Sequence, residues 1–193
     1  MSVPVSREYD IAIVGGGMVG ASLSLLLART LPARNIVLIE SHDWQIQETP
    51  PMSSQGSFDA RSTALSPSSV RVFHDLGLWK NIGEFATAIT SIHVSDRQHI
   101  GLSQFTQRDN KQEPLGFVVE NIGLGNALLT AINSQHNIEL YSPQIIKKIV
   151  PRIDGASMLG VDGDVFCQCQ LVVVADGAKS PLRKQLGIGA EIT

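Results

Sequence analysis

Short apolar runs of strand length alternate with stretches of helical period along the first part of the chain. Asp10-Ile11-Ala12-Ile13-Val14 is apolar and β-branched, and it stops at Gly15-Gly16-Gly17. Ala21-Ser22-Leu23-Ser24-Leu25-Leu26-Leu27-Ala28 follows as a helix, and Asn35-Ile36-Val37-Leu38-Ile39 reads as a second strand. This order predicts a βαβ unit on a parallel sheet. Ser41 to Ser57 is rich in Pro, Ser and Gln without any period, so it reads as a surface loop. Ser66 then suits a helix N-cap and Pro67 the first helical position. Val70, Phe73, His74 and Leu76 keep helical spacing, and Gly77 is the expected stop.

From Ala88 the period changes to two. Ile89 to Val94 alternates as one strand, Ile100 to Phe105 as another, and Leu115 to Val119 resumes strand character after a polar turn at Thr106 to Glu113. His93 and His99 fall in this block and read as strand-surface or packing residues. Glu120-Asn121 opens a helix that sets Leu124, Leu128, Leu129 and Ile132 on one face. Four strands follow, at Ile138 to Tyr141, Gln144 to Val150, Ser157 to Val161 and Val165 to Val174. Asp154-Gly155 and Asp162-Gly163 mark hairpins between the last three. The four together read as a meander. Leu171-Val172-Val173-Val174 is apolar throughout, which predicts a central parallel strand buried on both faces. The expected organisation is 1–87 and 118–193 as two parts of one nucleotide-binding domain, with 88–117 a β-rich excursion towards a second domain.

Composition narrows the class. The 193 residues are 43% hydrophobic and 17% charged, as in an ordinary globular protein. A net charge of −3 without any basic stripe gives no expectation of nucleic acid. The two cysteines, Cys167 and Cys169, are too close along a strand for a good disulfide, and no His/Cys cluster completes a metal site. They read as buried or half-buried free thiols in a reducing compartment. With no run near the ~20 apolar residues of a membrane span and no signal peptide, a cytoplasmic protein is expected.

The candidate chemistry is binding chemistry. Gly15, Gly17 and Gly20 stand in G-x-G-x-x-G spacing around Met18 and Val19, after a strand and at the start of a helix. Gly15 permits the sharp turn, Gly17 leaves room for a pyrophosphate, and Gly20 lets helix and strand approach. The helix N-terminus then offers unpaired amides and a positive dipole end to the phosphates. Glu40 ends the second strand twenty residues beyond Gly20, where a carboxylate accepts from a ribose and repels a 2′-phosphate. Asp176 and Gly177 would lie at the carboxyl end of the apolar strand, where open α/β sheets bind ligands. On their own, Asp176-Gly177 read first as a turn capping the next helix, and Arg61 reads first as a surface charge.

Four stretches together resemble the class A flavoprotein monooxygenases of the para-hydroxybenzoate hydroxylase type. Gly15 to Gly20 with Glu40 is similar to the family's FAD-ADP fingerprint. Phe58-Asp59-Ala60-Arg61-Ser62-Thr63-Ala64-Leu65-Ser66 resembles the segment whose arginine reaches toward the flavin. Phe117-Val118-Val119-Glu120-Asn121 resembles the helix start beside the FAD ribose and pyrophosphate, with Asn121 standing where many relatives carry arginine. Asp176-Gly177-Ala178-Lys179-Ser180-Pro181-Leu182-Arg183 fits D-G-x-x-S-x-x-R, associated with FAD and NAD(P)H binding. Ala86 to Arg97 adds a resemblance to the ubiquinone-biosynthesis ring hydroxylases, in the 2-octaprenyl-6-methoxyphenol hydroxylase branch.

The resemblance implies a Rossmann-like FAD-binding domain of the glutathione-reductase type, with a parallel sheet, a β-meander and the start of a β-rich substrate domain. It implies hydroxylation of a polyprenylated phenol with O2 through a C4a-hydroperoxyflavin, NAD(P)H being the reductant. FAD contacts would fall to Gly15, Gly17, Met18, Val19, Gly20, Glu40, Arg61, Asn121, Asp176 and Gly177, with no catalytic acid or base and no metal. A polyprenyl substrate brings in peripheral contact with the inner membrane and partners of a ubiquinone-biosynthesis complex. Family members run to about twice this length, and their later Gly-Asp signature is not matched by Gly163-Asp164, which falls in a hairpin. An N-terminal portion is therefore expected. The other readings are a related FAD-dependent reductase or halogenase, an NAD-dependent dehydrogenase, or a non-catalytic flavin-binding or assembly subunit. The meander and the Asp176 motif disfavour the dehydrogenase, and the halogenase Trp-x-Trp signature is missing, since Trp44 and Trp79 stand alone.

Overall fold

A computed structural model describes residues 7–46, 58–95, 102–109 and 111–190. Expectations for His99, Ile100 and most of the Ser41–Ser57 loop lie outside the described residues. The described parts of 1–48 and 128–193 form one compact unit, and those of 58–127 form a second.

The first unit is built on β1 (Arg7–Val14), α1 (Met18–Thr30) and β2 (Ile36–Ile39). All four β2 residues, Ile-Val-Leu-Ile, are buried. β1 and β2 pair in parallel, with Ile11 opposite Ile36 and Val14 opposite Ile39. A parallel return needs a crossover, which α1 supplies. Its buried positions, Gly20, Ala21, Ser24, Leu25 and Ala28, form one face made mostly of small residues. Small side chains let that helix come close to the sheet.

The second unit carries β3 (Ser62–Leu65), α2 (Pro67–Asp75), α3 (Trp79–Ile82), β4 (Ala86–Ile89), β5 (Ser91–Ser95), β6 (Leu102–Thr106) and β7 (Gly116–Glu120). Ser66 caps α2, its Oγ accepting from the Ser69 amide at 3.3 Å, and Gly77 takes φ +74° after the helix. β7 is flanked by β3 and β4 in an antiparallel sheet, while β5 and β6 form a separate hairpin. The single strand expected at Ile89 to Val94 is therefore two. Apolar alternation continues through Thr90 while the pairing partner changes from β7 to β6, and period alone carries no record of the partner. β3, short and half polar, was not anticipated. Leu65, Val70, Phe73, Ile82 and Val119 are buried, and the Trp79 ring meets Phe117 edge-on at 5.0 Å.

α4 (Asn121–Asn133) buries Leu124, Leu128, Leu129 and Ile132, as its period requires. β8 (Ile138–Tyr141), β9 (Lys148–Arg152), β10 (Gly155–Leu159) and β11 (Val165–Val174) return to the first unit. Its sheet runs β8-β2-β1-β11-β10-β9. β8 pairs in parallel with β2, so the expected four-strand meander is a three-strand one, β9-β10-β11. A strand reached through a helical crossover can return in parallel, which α4 makes possible for β8. β9 also starts later than expected, because residues 142–147 run past Glu40 as a loop, with the Gln144 amide bonded to the Glu40 carbonyl at 2.7 Å.

β11 lies beside β1 in parallel, in the central position expected. Burial on both faces does not hold: Leu171 is 53% exposed and Val172 to Val174 are half-buried. The other face of the sheet is closed by a core of Ala12, Val14, Val37, Ile39, Met158 and Cys167. Cys167 and Cys169 are free and buried. α5 (Pro181–Gln185) ends the described elements.

Candidate functional site

The carboxyl ends of β1, β2 and β11 open onto a cleft of about 400 Å³, lined by Gly15, Gly17, Glu40, His42, Asp176 and Gly177 among others. Backbone bonds fix its rim. The Gly15 amide reaches the Ile39 carbonyl at 2.8 Å, and the Ala175 amide reaches the Val14 carbonyl at 2.7 Å. Gly15 has φ +111°, and a Cβ there would stand 2.3 Å from the Ala175 oxygen. A side chain is excluded both by conformation and by space. A Cβ on Gly20 would lie 1.9 Å from the Gly15 oxygen, so the helix can start this close to the strand only with glycine.

Gly17 is the N-cap of α1, and the first intrahelical bond runs from the Ala21 amide to the Gly17 carbonyl at 2.9 Å. The amides of Met18, Val19 and Gly20 thus have no helical partner. No acidic side chain occupies that first turn. The result is a positive helix end with open donors beside the cleft.

Glu40 faces the same loop. Its Oε2 accepts from the Gly16 amide at 2.7 Å and its Oε1 from the His42 amide at 2.8 Å. Burial pushes the Glu40 carboxyl up, but these amides, with the His42 and Ser41 side chains, outweigh it and hold it below the usual carboxylate range. Gly16 and His42 were not singled out in the sequence, although the three-glycine run contained the signal for Gly16. A Cβ there would meet the Glu40 Cβ at 2.8 Å.

Across the cleft, Asp176 Oδ1 is shielded from solvent and has no hydrogen-bond partner among the described residues. Arg183 Nε is in the same condition. The cap reading of Asp176 is overturned, since Ser180 caps α5 by accepting from the Arg183 amide at 2.9 Å. Gly177 has φ +93°, as a tight turn after β11 requires.

Arg61 and Asn121 belong to the second unit, where they meet each other. The Asn121 amide, at the start of α4, donates to the Arg61 carbonyl at 3.0 Å. Asp59 stands between their side chains. Arg61 Nε donates to Asp59 Oδ2 at 2.7 Å, and the Asn121 side-chain amide donates to Asp59 Oδ1 at 3.4 Å. Asp59 was missed as a contributor, although its place two residues before Arg61 is the spacing of an Asx turn.

The described residues contain no group of His, Cys, Asp and Glu arranged to hold a metal, and no helix among them is long and apolar enough to cross a membrane.

Residues 8–141 match the model of the FAD binding domain family. The chain belongs to that family. FAD is therefore its cofactor, and the cleft suits it. Glycines keep the rim clear of side chains, a helix end presents open amides, and a shielded carboxylate oxygen lacks a partner. Ubiquinone hydroxylase UbiL of Rhodospirillum rubrum is 31% identical over 183 residues, spanning 95% of this chain and 40% of the relative. The 3-demethoxyubiquinol 3-hydroxylase of Escherichia coli is 30% identical over 184 residues, spanning 95% of this chain and 45% of the relative. The chain thus spans less than half the length of these relatives. Among solved structures, p-nitrophenol 4-monooxygenase PnpA from Pseudomonas putida superposes with a TM-score of 0.72 at 19% identity, over 94% of this chain and 44% of that one. The flavin-dependent monooxygenase PieE, solved with FAD and substrate, gives 0.70 at 19% identity, over 93% and 32%. These two likenesses show the fold: an α/β FAD-binding domain with a parallel sheet.

Proposed function

We propose that this chain carries the FAD-binding region of an NAD(P)H-dependent monooxygenase that hydroxylates a polyprenylated phenol in ubiquinone biosynthesis. The observation that carries the reading is the cleft at the carboxyl ends of β1, β2 and β11, in a chain similar to two ubiquinone hydroxylases. Gly15, Gly17 and Gly20 leave the pyrophosphate room against the backbone, with the amides of Met18 and Val19 as donors. Glu40 takes the ribose. Among the described residues its Oε2 carries a single bond, from Gly16, and a carboxylate oxygen accepts two. The same charge turns away a 2′-phosphate. Asp176 and Gly177 close the opposite wall, and Arg61 and Asn121 supply further polar contacts. Residues 1–87 and 118–193 form the FAD-binding domain in this reading, and 88–117 leads towards the substrate domain.

Bound FAD supplies the redox chemistry: NAD(P)H gives two electrons, one oxygen atom of O2 enters the ring and the other leaves as water. The chain's own residues hold and orient the cofactor. A polyprenyl phenol partitions into lipid, so the reading includes peripheral contact with the inner membrane and with enzymes that hand the substrate on.

The test is flavin absorbance of the chain equilibrated with FAD, followed by NADH and NADPH oxidation with a short-chain prenyl phenol. Stoichiometric FAD and phenol-stimulated oxidation are expected from protein spanning the relatives' full length, and FAD uptake from this chain. Uptake of no flavin by either would overturn the reading.

A further inference from the structure

The residues after β2 are bonded into place from the β8 side. The Glu40 amide donates to the Tyr141 carbonyl at 2.9 Å. Ser142 Oγ donates to the His42 carbonyl at 2.7 Å and accepts from the Trp44 amide at 2.7 Å. The backbone of His42 is therefore held at both ends, its amide by Glu40 and its carbonyl by Ser142. That sets the His42 ring against the same carboxylate. Its Nδ1 lies 3.1 Å from Glu40 Oε1, and Ser41 Oγ donates to Oε1 at 3.1 Å. A carboxylate oxygen only accepts, so His42 Nδ1 carries the proton. Ser41 Oγ, 3.1 Å from Nδ1, is a second acceptor for that proton. With the His42 amide, three donors meet Oε1, whereas among the described residues Oε2 meets the Gly16 amide alone. The two oxygens of Glu40 are thus unequal. One is saturated by its own loop, and the other has room for one more donor.

Resting on the FAD reading above, we propose that His42 is a positioning residue for the adenosine half of the cofactor. Its Nδ1–H, with Ser41, ties up Glu40 Oε1 and leaves Oε2 as the single oxygen presented to one ribose hydroxyl. A free carboxylate turns about a broad, soft torsion. Donors on both of its oxygens stop that turn before the ligand arrives, so less freedom is lost on binding. His42 acts through Glu40, and the contact with the ribose is Glu40's own.

The experiment measures FAD affinity by flavin fluorescence for the parent chain, His42→Ala, His42→Asn, Glu40→Ala and the His42→Ala/Glu40→Ala double variant, with thermal unfolding of each. The His42 side chain is 52% exposed, so its truncation disturbs no core packing. His42→Ala weakens FAD binding about fivefold, the scale of a partly exposed hydrogen bond to a charge. His42→Asn puts an amide donor where Nδ1 stood and binds within about twofold of the parent. In the Glu40→Ala background, removing His42 costs nothing further. A ring that served only loop stability, or that touched the cofactor itself, would lose affinity there too, and that result overturns the proposal. Parental affinity in His42→Ala overturns it as well, and so does an Asn variant as weak as the Ala one. Should Glu40→Ala fail to fold or to bind measurably, the Ala and Asn variants at His42 decide. A parent chain that takes up no FAD overturns the cofactor reading and this inference with it. A parent that binds FAD while His42→Ala matches it overturns only the inference.

Discussion

The carboxylate of Glu40 accepts a 2.7 Å hydrogen bond from the backbone amide of Gly16, twenty-four residues earlier in the chain. This bond ties the end of β2 to the turn after β1, so the Glu40 carboxylate and the glycine loop are held as one piece. Because the folded Glu40 carboxyl lies below its ordinary value, its stabilisation is complete above about pH 4.5 and is lost as pH falls through the lowered value. Glu40→Gln is expected to cost about 1–3 kcal/mol at neutral pH. In urea titrations the gap between parent and variant should hold from pH 7 to about pH 5 and narrow below. A gap that stays constant to lower pH would count against the bond's contribution.

Gly20→Ala places a methyl 1.9 Å from the Gly15 oxygen, which is backbone and cannot swing aside. The helix must slide off the strand or the turn must open. A loss on the order of 1–3 kcal/mol is expected from such overpacking, together with loss of FAD uptake. Urea unfolding and flavin absorbance measure the two, and a variant with parental values in both would contradict the close approach described.

Burial pushes the Cys167 thiol up to about 12 and the Cys169 thiol up to about 11. Thiolate is the reactive form, so both should be inert to DTNB at pH 8 in the folded chain. Two equivalents should react once urea unfolds it, matching the two cysteines in the sequence. Rapid reaction before unfolding would show that β11 opens readily.

Leu128 is fully buried on the apolar face of α4. Leu128→Ala is expected to cost about 2–5 kcal/mol, through lost burial and a residual cavity. Denaturant melts decide it, and a cost below about 1 kcal/mol would mean the site collapses around the smaller side chain.

The βαβ unit, α2 with its Ser66 cap, and the apolar face of α4 were legible because local pattern and capping chemistry determine them. The glycine positions were legible for the same reason, since only glycine satisfies the turn at Gly15 and the contact at Gly20. Strand partnership was not. Nothing local in Ile138-Glu139-Leu140-Tyr141 says that it pairs with β2 rather than β9, and nothing in Ile89 to Val94 marks the change of sheet at Thr90. Uniform hydrophobicity in Leu171 to Val174 could not reveal that Leu171 faces solvent. Arg61 alone was ambiguous. Its meaning depends on Asn121, sixty residues away, and on a carboxylate that only the fold makes buried.

The pairing of β1 with β11 joins Arg7 to Cys167, positions 160 residues apart, whereas its pairing with β2 joins Ile11 to Ile36. One edge of β1 can therefore find its partner early, and the other waits until β11 has been made. At ribosomal speeds that delay is roughly 8–30 s. Throughout it, Ile11 to Val14 present unpaired backbone on an apolar strand, a template for association with other nascent chains. High contact order then makes the closing step slow even after β11 has been made. Expression yield and chaperone dependence should accordingly respond to β11 substitutions that weaken its register, even where the FAD cleft is untouched.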